Sequence, residues 1–471
     1  MTVPLLTPGD RVHLVGIGGA GMSALATVLL ERGHEVSGSD LRGGPACVAL
    51  AALGATIAVG HAAANVEGAD LVAVSTAVPA TNPEPARARE LGLPVVRRAE
   101  LLAALLAGSR GVLVAGTHGK TTTTAMATVV LQAAGFDPSF AIGGTLHDSG
   151  ASAHDGAGDV FVAEADESDR SFLVYTSDCA VVTNIELDHH DTYAGLEEVT
   201  QAFAAFLDHR SPGAPAVVGT GDPGVRALLA RGVPGPVVGY GEEVDAALRI
   251  ADVQGGPSGS TWSLRADGED LGRFWLPLPG RHNVHNATAA VAVARWASAP
   301  LDAVRAALAG FHGTQRRFQR LGTAEGVSVV DDYAHHPTEL AATIAAARQT
   351  RPSGRVIAAF QPHRYSRTAA LGAQLGGALA AADLVVVTGV YAAGEKPVPG
   401  VTAALVADAA RRRGVETHEV PAAGDLAAFL AQRVVAGDLV LTLGAGDVTE
   451  VGPVLLRLLE GRPGVGGDHG G

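Results

Sequence analysis

Residues 116–124 read Gly-Thr-His-Gly-Lys-Thr-Thr-Thr-Thr, directly after the apolar run 112–115 and directly before the helix-like stretch 125–134. A buried strand, a glycine loop and a helix start in that order demand a parallel α/β sheet whose loop N–H groups and positive helix end wrap a polyphosphate. In such a loop, Gly116, Thr117, His118, Gly119, Lys120, Thr121 and Thr122 form the cradle. Lys120 supplies a mobile cation, and the Thr121 hydroxyl reaches Mg²⁺. The general pattern wants glycine where Val114 stands, so the loop is a variant. Lys120 and Lys396 are the only lysines. Arginine supplies the other basic residues, so a lysine kept here points to a need for a compact cation. The chain is therefore expected to spend a nucleoside triphosphate; the bland reading is an ordinary strand-to-helix turn.

At 471 residues the chain exceeds one core and calls for two to four domains. A formal charge of −14 argues against nucleic acid or an anionic membrane surface as the main partner. Cys47 and Cys179 lie far apart without metal-like spacing, as expected in a reducing compartment. Residues 1–10 lack a signal-peptide pattern, and no apolar stretch is long enough to span a bilayer. These features together predict a cytoplasmic protein.

The first segment, 1–108, opens with the strand pattern 12–15, then Gly16-Ile-Gly18-Gly19-Ala20-Gly21, a helix pattern over 22–32, and a second strand ending at Ser39-Asp40. Alone this is a dinucleotide fingerprint, so an NAD-dependent dehydrogenase or regulator is a rival reading; the same turn can hold a nucleotide-sugar pyrophosphate. The middle segment, 109–315, adds polar clusters after buried strands: Glu164-Ala-Asp166-Glu-Ser-Asp169, Asn184-Ile-Glu-Leu-Asp188-His189, and Arg281-His282-Asn-Val-His285-Asn286. A carboxylate at that place suits a metal, with Thr121, Glu164 and His189 as candidate ligands. Asn286 either reads an adenine edge or caps a helix. The third segment, 316–460, returns to alternating strands and helices. Its loops Asp332-Tyr-Ala-His335-His336-Pro, His363-Arg364-Tyr-Ser-Arg367 and Gly444-Ala-Gly446 are expected at the carboxyl ends of strands, lining one crevice. Arg364 and Arg367 could grip a small carboxylate; the alternative is surface ion pairing. The Gly-rich tail, 461–471, reads as disordered.

These clusters, in this order, resemble the Mur ligases along essentially the whole chain. The Gly18-Gly-Ala-Gly21-Met22 loop favours those members that add L-alanine to UDP-N-acetylmuramate over those that attach a preformed peptide. The resemblance implies three α/β domains: a Rossmann-like N-terminal domain, a central P-loop ATPase and a Rossmann-like C-terminal domain. It implies an ATP-dependent amide ligase of peptidoglycan precursor synthesis, working through an acyl phosphate with Mg²⁺, or Mn²⁺ in its place. Under it Gly18, Gly19, Ala20, Gly21, Met22, Asp40, His61 and Ser75 hold the UDP-sugar; His282, Asn286 and Arg316 join the ATP loop; and His363, Arg364 and Arg367 hold the amino acid. Lys120, Glu164, His189, Arg317, Asp332 and His335 become catalytic candidates. Asp332, His335 and His363 stay unranked as the base that frees the amine. A catalytically silent binding protein is disfavoured because both the activating loop and metal-ligand candidates are present. Relatives adding later amino acids are expected to carry a lysine carbamate near the metals, and this chain has no lysine between Asp191 and Arg316.

Overall fold

The computed structural model describes residues 6–351 and 353–461, so all but the first residue of the expected disordered tail lies outside them. The chain divides into two compact units. The first comprises Met1–Asp252, Trp262–Trp275 and His285–His312; the second comprises Val253–Thr261, Leu276–Val284 and Gly313–Gly471.

The first unit opens with an all-parallel sheet ordered Thr56–Val59, Glu35–Asp40, Arg11–Val15, Leu71–Val74, Val95–Arg97. The order reverses between Arg11–Val15 and Leu71–Val74, and a ligand crevice opens at the carboxyl ends of such a pair. Gly16 turns the chain there at φ +81°, and a Cβ on it would stand 3.2 Å from the Ser75 Cβ. Glycine is what lets the backbone pass.

A ten-stranded sheet follows. Its parallel middle runs Val237–Gly241, Ala216–Gly219, Cys179–Val182, Arg110–Ala115, Val160–Glu164, Ser139–Ala141. Ala216–Gly219, Cys179–Val182, Arg110–Ala115 and Val160–Glu164 are apolar runs without alternation, buried along nearly their whole length as in a parallel sheet covered on both faces. Leu101 and Leu105 of the first segment share one apolar cluster with Phe172, Phe203 and Phe206 of the middle one. That common core explains why two segments with separate sheets group as a single unit.

In the second unit the order is Gln319–Ala324, Val327–Asp332, Leu439–Leu443, Val356–Phe360, Leu384–Thr388, Glu416–Val420, parallel except for the first pair. Asp332 pairs with Leu443, and Leu443 with Phe360, so the loops that follow leave the sheet side by side. Both cysteines are buried and free. Among the described residues no helix is long and apolar enough to cross a membrane.

Candidate active site

The phosphate loop is built as its glycines require. Gly116, at φ +135°, lies so close to Thr183 that any Cβ would overlap the Thr183 Oγ1. Gly119 caps the helix Lys120–Ala133 in the left-handed region, where a Cβ would stand 2.6 Å from Asn286 Oδ1. The helix starts at Lys120, earlier than the apolar pattern indicates, which brings the four threonines into its first turns. Asn184, two residues past the end of the neighbouring strand Cys179–Val182, clamps the loop, accepting from His118 N at 2.8 Å and donating to His118 O at 3.0 Å.

Lys120 Nζ lies 2.6 Å from Gly116 O and 2.7 Å from Glu167 Oε2. Burial opposes its charge, but Glu167, Asp166 and Glu164 outweigh that and hold its pKa above the ordinary value. Glu164 accepts from Thr121 Oγ1 at 3.3 Å and from Gly143 N at 2.6 Å. His189, at φ +53°, has Nε2 3.6 Å from Glu167 Oε1 and 3.8 Å from Asp188 Oδ2. Burial works against the imidazolium, yet these carboxylates raise His189 above its usual pKa. Thr121 and Glu164 thus meet each other beside the phosphate loop, and His189 reaches Lys120 by way of Glu167. The hard oxygens of Thr121 and Glu164, together with the buried Glu167 Oε1 that has no hydrogen-bond partner, fit a Mg²⁺-type ion.

A cleft of about 300 Å³ runs from this cluster to the first glycine loop. One wall is Gly19 to Met22 with Ser75 and Arg98; the other is Gly143, Glu164 and Asp166. Asp40 steadies the loop, its carboxylate accepting from Gly18 N at 3.0 Å. Met22 turns its side chain into the core, only 1% exposed, so it offers the cleft mainly its backbone. His61 Nδ1 sits 2.9 Å from Ser39 Oγ and 3.3 Å from the buried Glu84 carboxylate. Burial disfavours that carboxylate, but bonds from His13, Ser39, Asn65 and Ala62 hold Glu84 down at about 2.

The helix Arg281–Trp296 starts before His282, so Asn286 lies a turn inside it. Capping is thereby set aside, because Asn286 packs against Gly119 instead.

In the second unit Arg316 is spent on its own loops, with Nη2 donating to Gly444 O at 2.6 Å and Nε 3.2 Å from Asp331. Arg317 lies over the Tyr333 ring and 3.8 Å from Glu339. Asp332 accepts from Phe318 N at 2.7 Å and Ala334 N at 2.8 Å, and burial pushes its carboxyl up to about 6. His335 Nδ1 sits 3.0 Å from Tyr333 O. His363 stacks on Tyr391 with ring centroids 5.6 Å apart, and its Nδ1 faces Arg367 Nη1 at 3.4 Å. Burial, then His335, Arg367 and Arg364, push His363 down to about 3, so it is neutral and accepts from Arg367. Arg364 holds φ +67° at the start of the helix Tyr365–Leu379, a strained conformation for a side-chain-bearing residue.

Three family models match the chain: the Mur ligase family catalytic domain over residues 11–110, the Mur ligase middle domain over 114–294, and the Mur ligase glutamate ligase domain over 316–446. The chain belongs to the Mur ligase family. It is 46% identical over 465 residues to the UDP-N-acetylmuramate–L-alanine ligase of Streptomyces avermitilis, covering 98% of this chain and 100% of that relative. To the ligase of the same name from Acidothermus cellulolyticus it is 49% identical over 455 residues, covering 96% and 95%. The crystal structure of the UDP-N-acetylmuramate–alanine ligase of Thermotoga maritima superposes with a TM-score of 0.81 at 29% identity, covering 95% of this chain and 98% of that one. Membership sets aside the dehydrogenase reading of the first glycine loop.

Two side chains, one beside this Mur ligase's phosphate loop and one in its cleft, stand outside the site candidates that the sequence marks. Glu167 lies inside the acidic cluster 164–169, where nothing in the sequence separates it from Asp166 and Asp169. Arg98 belongs to no motif: its guanidinium reaches Gly21, with Cδ 3.1 Å from where a Cβ would be, and it helps hold the Asp166 carboxyl below its usual range.

Proposed function

We propose that the chain joins L-alanine to the carboxylate of UDP-N-acetylmuramate, spending ATP through an acyl phosphate, in cytoplasmic peptidoglycan precursor synthesis. The observation that carries this is the cleft shared by the first glycine loop and the Glu164 cluster. A nucleotide-sugar whose pyrophosphate sits on the Gly18–Gly21 amides extends its acid toward the phosphate loop. A carboxylate is a poor electrophile; phosphoryl transfer to it supplies a good leaving group. Lys120 and the loop amides stabilise charge building on the transferring phosphoryl oxygens. Thr121, Glu164 and His189 would hold Mg²⁺, which neutralises phosphate charge when bound. Arg364 and Arg367 are assigned to the alanine carboxylate. Neutral His363, at about 3, is too weak a base for an ammonium group, leaving Asp332 and His335 as the candidates. We assign domain boundaries near residues 108 and 315. The test is phosphate release with ATP, Mg²⁺, UDP-N-acetylmuramate and each amino acid in turn, omitting one component at a time. Release that needs both the UDP-sugar and alanine is the expected result; release with a tripeptide in place of alanine would reassign the acceptor.

Glu167 joins Lys120 to His189 through one buried carboxylate. Glu167→Gln is expected to lower kcat about tenfold or more, since charge-assisted bonds contribute ~1.5–3 kcal/mol. The KM for UDP-N-acetylmuramate should stay within twofold. An unchanged kcat would make Glu167 a packing residue.

With no lysine between Asp191 and Arg316, a metal-bridging carbamate has no bearer there. Activity in bicarbonate-free buffer should equal that with added bicarbonate at matched pH and ionic strength. A several-fold rescue by bicarbonate would overturn this.

A further inference from the structure

The second unit carries a recess of about 440 Å³ between the hairpin of Gln319–Ala324 with Val327–Asp332 and the end of the helix Pro337–Thr350. A register shift between Arg320 and Gly322 breaks the pairing of the two strands and leaves room there. The recess lies at the amino end of the sheet, where Ser328 and Leu439 stand near the starts of their strands. Ser328 is four residues from Asp332, about 13 Å along the strand, so the recess is separate from the loops assigned to alanine.

Its lining holds two arginines, Arg320 and Arg351, and no carboxylate. Arg320 Nη2 donates to Pro257 O at 2.8 Å, and Arg351 Nη2 donates to Ser328 Oγ at 2.5 Å. Both acceptors are uncharged, and among the described residues no carboxylate pairs with either guanidinium. Four other arginines of the same unit, Arg316, Arg348, Arg355 and Arg411, do each sit against a carboxylate. In a chain with 48 acidic and 34 basic residues, two arginines around one recess without a counter-ion make a local cationic site. Arg351 also closes the carboxyl end of its helix, which accounts for a cation there but not for the second one. Thr323 and Ser328 add hydroxyls, while Phe318, Val330 and Leu439 give an apolar floor.

We propose that this recess binds a small phosphate ester, the guanidinium forks taking the phosphate oxygens and the floor taking the organic group. The volume suits a small molecule, and the ligand's charge offsets the two arginines. This assignment does not rest on the ligase reading.

The test is calorimetric titration of the full chain with phenyl phosphate, inorganic phosphate and phenol, with ADP, Mg²⁺ and UDP-N-acetylmuramate saturating so that the phosphate loops are filled. One phenyl phosphate per chain is expected, with phenol not binding; weaker binding of inorganic phosphate supports an ester, whereas equal binding would overturn the ester assignment in favour of the free anion. Arg320→Gln and Arg351→Gln should each weaken binding at least about tenfold, and the double variant should abolish it, with ligase activity within twofold of wild type. Ser328→Asp, which supplies a fixed carboxylate to Arg351, should abolish binding by a different route and covers the case of a double variant that fails to fold. No saturable binding, or binding unchanged in both the double variant and Ser328→Asp, would overturn the site.

Discussion

Lys120→Ala is expected to abolish ligation while leaving UDP-N-acetylmuramate binding within twofold. Lys120 lies in the phosphate loop, whereas the nucleotide-sugar is assigned to the Gly18–Gly21 loop at the far end of the cleft. Removing one preorganised cation from a phosphoryl-transfer site costs roughly 3–5 kcal/mol, on the order of 10²–10⁴ in rate. The structure adds a complication that the motif did not show. Glu167, 1% exposed, would lose its partner at 2.7 Å and keep only the more distant His189 at 3.6 Å, and a buried carboxylate deprived of its nearest cation destabilises the fold. Lys120→Ala should therefore also melt earlier, and the double variant Lys120→Ala/Glu167→Gln should regain much of that stability without regaining turnover. Calorimetric melting beside phosphate-release kinetics separates the two effects. Turnover within threefold of wild type in the single variant would show that the loop is structural.

Arg367→Ala and Arg364→Ala are expected to raise the KM for alanine by about 10- to 100-fold, because each fork bond to a desolvated carboxylate contributes ~1.5–3 kcal/mol. The KM for ATP should change little. The two variants should differ in stability. Arg367 is 8% exposed and bonds the neutral His363, so its loss leaves that imidazole without a donor, whereas Arg364 is less buried. Replacing Arg364 with glycine should keep the helix start intact, since its φ of +67° suits glycine, yet still lose the alanine effect. Equal changes in the KM for alanine and for ATP would instead indicate nucleotide contact or a disturbed fold.

Much of the architecture was legible because it is written in short-range patterns. Gly116 and Gly119 are placed where the backbone needs a left-handed or crowded conformation, and apolar runs such as Cys179–Val182 announce strands buried on both faces. The alternation of those runs with helices settles a parallel α/β class. The candidate ligands Thr121, Glu164 and His189 could be named because metal and phosphate chemistry restricts residue type at strand ends.

Tertiary structure decided the rest. Two segments with separate sheets share one core, since Leu101 and Phe172 lie far apart in sequence and nothing local announces their packing. Asn286 acts on Gly119 rather than on its own helix start, and Arg316 is committed to the Gly444 carbonyl, a pairing across 128 positions. Glu167 looked no different from its acidic neighbours until the fold put it between Lys120 and His189. Residue type and spacing determine which chemistry a chain can perform; which carboxylate carries the charge is set by burial and by the distance to groups remote in sequence, and those exist only once the chain is folded.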